Sequence, residues 1–152
     1  MIAARTFGLC LTALVLALAG CGSSSKIVTK AEYQAQLAKS GQEVTLAGQQ
    51  VGKSLTVSDF NAAVAGLQTA LRDAEKKLNG LEPPANARAA NERLAQAFGD
   101  LADALESAKA TDTMVKARQA MGGVGNSAAI KEGQAAIREL RRLGYAVDSA
   151  GP

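Results

Sequence analysis

Apolar residues recur every three or four positions along several stretches of this chain, which is the spacing of helices that bury one face. The clearest stripe alternates steps of four and three without a break, through Phe60, Val64, Leu67, Leu71, Ala74 and Leu78. Similar stripes lie before and after it. The pattern therefore predicts an all-α fold.

Capping and turn residues set the ends of four predicted helices. Thr29 and Glu32 have the spacing of a capping box, in which each side chain satisfies a backbone amide of the first turn. Asn79-Gly80 is a suitable helix end, and Pro83-Pro84 is a stiff connector. The predicted helices begin at Thr29, at Ser58 or Asp59, with Pro84 in a first turn, and at Ser127. They end near 54–57, Gly80, Ala108 and Gly144.

The segment between the third and fourth helices is rich in turn-forming residues. Thr111-Asp112-Thr113 interrupts the helical pattern, and a short helical piece is expected to follow as far as Met121. Gly122-Gly123-Val124-Gly125 is then predicted to be a loop. It lacks the Lys-Ser/Thr pair of a phosphate-binding P-loop and follows no predicted strand. We therefore interpret it as a linker, with Asn126 or Ser127 capping the last helix.

Four amphipathic helices with short connections predict an antiparallel four-helix bundle with one extra short helical piece. The bundle is expected to cover residues 29–147, with a frayed tail over residues 148–152. Hydrophobic residues make up 47% of the chain, but many of them are alanines. The core should therefore be thin, and the helices should pack closely.

The first 20 residues show a different pattern. Arg5 is followed by an apolar run from Phe7 to Leu18, the charge and length expected of a signal peptide. The run closes with Leu18-Ala19-Gly20-Cys21. This closing sequence resembles the lipobox of bacterial lipoproteins. The resemblance implies cleavage between Gly20 and Cys21 and attachment of a diacylglycerol to the Cys21 thiol.

A short polar string follows the cysteine. Gly22 and the three serines at 23–25 have too little apolar surface to fold, so residues 21–28 are predicted to be a lipidated, flexible tether. The alternative is an uncleaved membrane span, against which Arg5 and the Gly-Cys-Gly exit argue. Two or more acyl chains anchor a protein stably. We therefore expect a position outside the cytoplasm, at the bacterial cell membrane or the outer membrane.

Composition narrows the chemistry that the chain can perform. Its 152 residues include no histidine, which is the commonest general base and metal ligand. Both cysteines, Cys10 and Cys21, lie in the N-terminal segment. The net charge of +3 is mild, and aromatic residues are only 3% of the chain, which argues against nucleic acid as a partner. We expect no enzymatic activity, no metal and no cofactor.

Two groups of charged residues are candidates for surface sites. The first lies near helix C-termini and comprises Lys76, Lys77, Arg141 and Arg142. These residues complement the helix macrodipole, and in an up-and-down bundle they would also face the anchor side, where anionic headgroups attract them. The second group is Asp100, Asp103 and Glu106, spaced one turn apart. It forms either a weak cation site or, in the interpretation we prefer, a solvated helix surface.

These features favour a non-catalytic interaction or structural module of the cell envelope, which presents a helix face to another envelope protein or to itself. The alternative is an envelope module that holds an apolar or amphipathic molecule between its helices. The two hypotheses differ in the core that they require. A filled core favours the first, and an apolar cavity open to solvent favours the second.

Overall fold

The structure, a computed structural model, describes residues 28–109 and 112–147. Within these ranges it is all-helical, as predicted, with five helices of 12 or more residues, one single helical turn and no strand. The α-helices are α1 (Lys30–Lys53), α2 (Val57–Asn79), α3 (Arg88–Ala104), α4 (Glu106–Lys109), α5 (Met114–Gly125) and α6 (Ala128–Arg142). A 3-10 turn at Ala85–Ala87 leads into α3.

The predicted signal peptide and residues 21–27 of the tether lie outside the described residues, as does the tail from 148 to 152. The first described residue is Val28, which the sequence assigns to the tether. It is buried, and its backbone N–H donates a hydrogen bond to the Glu82 carbonyl at 3.0 Å. The folded body therefore includes this residue.

Side-chain caps begin α1 and α2. The Thr29 hydroxyl accepts from the Glu32 N–H at 3.2 Å, and the Glu32 carboxylate accepts from the Thr29 N–H at 2.8 Å, so the predicted capping box is present. The second helix starts at Val57, earlier than predicted. The reason is that the Thr56 hydroxyl caps it by accepting from the Asp59 N–H at 3.1 Å.

α2 and α3 pack side by side in opposite directions. Along α2 and α3, the Gln68 side chain donates to the Ala102 carbonyl at 2.8 Å, and the Asn91 side chain donates to the Leu78 carbonyl at 3.1 Å. The residue numbers rise along one helix as they fall along the other. α1 packs on α2, and α6 packs on α3. The pair α2 and α3 is therefore central.

The core divides into two clusters at opposite ends of α1. The proximal cluster, near the start of α1, includes Tyr33, Leu37, Leu78, Leu94, Leu140 and Tyr145. The distal cluster, near the end of α1, includes Val51, Phe60, Val64, Leu71, Leu105 and Val124. α6 completes the packing at the proximal end, whereas α5 completes it at the distal end. The two clusters are therefore completed by different helices.

Two segments differ from the sequence prediction. Residues 122–125, predicted as a loop, form the last turn of α5, and the connection to α6 is only Asn126 and Ser127. Val124 is buried in the distal cluster, and the Asn126 side chain donates to the Gly122 carbonyl at 2.9 Å. This packing outweighs the low helix propensity of three glycines. The third helix ends at Ala104 rather than Ala108, and fully buried Leu105 marks the break before α4.

Candidate functional site

An apolar cleft of about 690 Å³ lies at the distal end and is partly open to solvent. Its walls are the last turns of α1, the start of α2, the end of α3, the whole of α5 and the start of α6. The apolar lining includes Val44, Val51, Phe60, Leu67, Leu101 and Leu105. Phe60 and Leu105 are almost completely buried and form its floor.

Glycines leave gaps between the side chains on the α1 wall of the cleft. Gly48 and Gly52 lie one turn apart, and a Cβ built at either position would meet no atom within 4 Å. Gly125 of α5 also faces open space. A glycine inside a helix costs up to about 1 kcal/mol relative to alanine. The glycines that leave this volume open therefore also lower the stability of α1 and α5.

The α5 wall presents Met114, Arg118 and Met121 to the cleft. These positions are separated by four and three residues, so they share one face of the helix. Methionine side chains are flexible and polarisable, and they adapt to apolar surfaces of different shapes. This wall can therefore adapt to apolar molecules of different shapes.

Polar groups are few in the cleft. Thr45 and Gln49 of α1 line it, as does Ser54, whose hydroxyl already donates to the Gln50 carbonyl at 3.0 Å. Arg118 is the one charged side chain among the lining residues. It is exposed, and it makes no ion pair with any residue that the structure describes. The arrangement suits a molecule with an apolar body and a polar end.

The proximal end is closed by an internal hydrogen-bond network. The rings of Tyr33 and Tyr145 meet edge to face, with centroids 5.5 Å apart. The Tyr33 hydroxyl donates to the Asn91 side-chain oxygen at 3.0 Å, and burial raises the pKa of Tyr33 above its ordinary value. The Asn91 amide in turn donates to the Leu78 carbonyl. This network joins α1, α2 and α3, and its polar groups face one another rather than an open site.

The four basic residues predicted to face the anchor lie at the proximal ends of α2 and α6. The Lys77 ammonium is 2.6 Å from the Glu43 carboxylate, which lowers the pKa of that carboxyl. Arg141 and Arg142 each donate to acceptors on or just after α6. Lys76 is exposed and makes no ion pair with a described residue. Headgroup contact stays a prediction for these residues.

The carboxylates near the end of the third helix take part in ion pairs. Asp103 pairs with Arg72 of α2, and Glu106 pairs with Lys109 at 2.8 Å while accepting a hydrogen bond from Gln68 at 2.9 Å. These bonds lower the pKa of Glu106. No cluster of three or more potential metal ligands occurs within residues 28–109 and 112–147.

Gly20 and Cys21, the predicted cleavage and lipidation residues, lie outside the described part of the chain. Cleavage and lipidation therefore stay predictions. Among the helices that the structure describes, none combines the length and the apolar character that crossing a bilayer requires.

The chain matches no protein-family model, no curated protein and no solved structure. Its candidate site therefore has to be interpreted from its own geometry. Sequence reasoning allowed for a cavity between helices but did not locate one. The signal that could have located it is the position of Gly48 and Gly52 on the α1 face that also carries Val44 and Val51.

Proposed function

We propose that this protein is a lipid-anchored module of a bacterial envelope that holds an apolar or amphipathic molecule in its distal cleft. The cleft is the observation that carries the proposal. Its volume of about 690 Å³ lies within the range of about 300–1,000 Å³ that is usual for small-molecule sites. Its apolar lining and its opening to solvent favour this hypothesis over a module with a filled core.

The lipobox at Leu18-Ala19-Gly20-Cys21 and the polar string after it support the anchoring part of the proposal. In this arrangement the helices act as an antiparallel four-helix bundle whose fourth position is shared by α6 and α5. The start of α1 faces the membrane. With 24 residues, α1 is about 36 Å long. The cleft, at the far end of α1, would therefore open toward the envelope space rather than toward the bilayer.

Photolabelling tests whether the cleft holds an apolar molecule. Membranes from bacteria that produce the full chain are incubated with a diazirine-bearing palmityl alcohol and irradiated, and the modified residues are located by mass spectrometry. We expect adducts on cleft residues such as Met114 and Met121. Gly48→Leu places a side chain in the open space and should abolish these adducts. Gly66→Leu is the matched control, because a Cβ at this exposed position of α2 also meets no atom within 4 Å.

A second substitution separates loss of the cleft from loss of the fold. Gly52→Leu fills the same space from the next turn of α1 and should also abolish the adducts. Circular dichroism and thermal unfolding should show that all three variants remain helical and cooperative. Wild-type labelling in both Gly48→Leu and Gly52→Leu would overturn the ligand-binding proposal.

Mass spectrometry of the N-terminal peptide from the same membranes tests the anchor. We expect a chain that begins at Cys21 and carries acyl groups on that residue. Cys21→Ser removes the thiol and should release the protein from the acylated fraction. A mature chain that still begins at Met1, with an unmodified thiol at Cys21, would contradict the anchoring part alone.

A second candidate function is contact with another envelope protein or with a second copy of the chain. Leu55 and Val115 favour it, because these large apolar side chains are 83% and 77% exposed. In-cell chemical cross-linking of the full chain, compared with the Leu55→Ser, Val115→Ser double variant, tests it. Loss of a cross-linked species in the variant supports this function, and an identical pattern in both rules these residues out as an interface.

A further inference from the structure

Arg118 differs from two neighbouring cations, Lys109 of α4 and Lys116 of α5. Lys109 pairs with Glu106 at 2.8 Å, and Lys116 pairs with Asp112 at 2.8 Å. Arg118 makes no such pair with any residue in the described ranges, and it alone of these three lines the cleft. The mouth of the cleft therefore carries one positive charge that the described protein leaves unbalanced.

The position of this charge relative to the apolar floor is informative. Arg118 stands between Met114 and Met121 on the face of α5 that lines the cleft. The floor below it includes Phe60 and Leu105, which are 2% and 0% exposed. A molecule that filled the cleft would thus have its apolar part on the floor and its outer end beside the guanidinium. Exposure of Arg118 leaves its donors free for such an end.

We propose that the occupant of the cleft is an anionic amphiphile with an apolar chain and a carboxylate or phosphate head that binds Arg118. This inference rests on the proposed ligand-holding function and adds the charge and orientation of the ligand. The planar guanidinium donates two parallel hydrogen bonds to either kind of head. A neutral or cationic head would gain no ion pair at this position.

The test compares two photoreactive probes that differ only in their heads. Diazirine-bearing palmitic acid and the corresponding alcohol are applied separately to membranes that contain the full chain. Wild type should be labelled in the cleft by the acid at concentrations about fivefold lower than by the alcohol, which corresponds to an ion pair at the upper end of the exposed range. Added salt should reduce this preference, because the pair is exposed.

Arg118→Gln should remove the preference for the acid, because both heads then meet an uncharged side chain. Lys116→Gln is the matched control, since it removes the same charge from the same helix at a residue that does not line the cleft. The Lys116→Gln variant should still be labelled by the acid at lower concentrations than by the alcohol. Competition by unlabelled palmitate or by lysophosphatidylglycerol distinguishes a free fatty acid from a phospholipid as the source of the anion.

The possible results separate this inference from the proposed function. Equal labelling of wild type by acid and alcohol, or an acid preference that survives in Arg118→Gln, overturns the anionic-head assignment and leaves the cleft as a ligand site. Labelling that persists in the two leucine variants at Gly48 and Gly52 overturns the ligand site itself. Loss of preference in Arg118→Gln alone supports the inference.

Discussion

Asn91 is a polar residue in an otherwise apolar interface, and its side chain joins three helices. It accepts from Tyr33 of α1 at 3.0 Å and donates to the Leu78 carbonyl of α2 at 3.1 Å. The Leu78 carbonyl lies in the last turn of α2, where backbone acceptors lack partners within the helix. The amide of Asn91 therefore serves helix capping and interhelical packing together.

Asn91→Ala should lower the free energy of unfolding by about 1–3 kcal/mol, because the buried Tyr33 hydroxyl loses its acceptor. Denaturant unfolding of the full chain measures this loss. Tyr33→Phe is the companion variant. It should lower the free energy of unfolding by less in the Asn91→Ala background than in wild type. If the losses of unfolding free energy in the two single variants add up to the loss in the double variant, the two side chains do not act as a pair.

At the scale of elements, a single apolar stripe described the buried residues of α2 but not those of α3. α2 has one main buried face, and all six residues of its predicted stripe are buried. α3 lies between α2 and α6 and is buried on two faces, so Asn91, Ala95 and Gly99 are buried in addition to Ala90, Leu94 and Ala97. A single stripe cannot describe such a helix.

α5 shows a second limit of sequence prediction. Its glycines predicted a loop, but burial of Val124 and the Asn126 cap extend the helix through Gly125. Val124 and Gly125, which lie in this extension, line the cleft together with Gly48. Spacing along one helix cannot specify an empty volume that depends on which partner lies across it. Only the glycine-rich face of α1 hinted at the site.

Alanine at position 48 should stabilise the protein. Gly48→Ala should raise the free energy of unfolding by about 0.5–1 kcal/mol, since the added methyl group meets no atom within 4 Å. Gly66→Ala should give a similar gain. Gly99→Ala should give less, because its Cβ would lie 2.8 Å from the Glu75 carboxylate and displace a side chain that pairs with Arg72. Denaturant unfolding of the three variants checks the order of these stability gains. A loss of stability in Gly48→Ala would contradict the open space beside Gly48.

At the scale of the whole molecule, ion pairs link the helices at several exposed places. Lys77 of α2 pairs with Glu43 of α1, and Arg72 of α2 pairs with Asp103 of α3. Hydrogen bonds from basic partners lower the pKa of Glu43 and of Glu139. Each of these carboxylates is held more strongly in its ionised form by the folded state than by the unfolded chain.

Acid should therefore destabilise the fold. A carboxyl whose folded-state pKa is lowered contributes stability above its unfolded value of about 4.3, and this contribution is lost as the pH falls below it. The melting temperature of the full chain should be lower at pH 3 than at pH 6. Glu43→Gln removes one of the carboxyl groups whose pKa is lowered, so the melting temperatures at pH 3 and pH 6 should differ by less in this variant. A melting temperature that does not fall in acid would show that these pairs do not contribute to stability.

Gly48 and Gly52 lower the thermal stability of the protein, but they keep open the space on which the proposed function depends. In a randomised library sorted only for survival of heating, alanine and larger residues at these two positions should be enriched early. In a library sorted for growth under conditions that require the protein, leucine there should disappear. Deep sequencing of both libraries would therefore reveal whether the empty space matters to the cell that makes the protein, before any occupant has been identified.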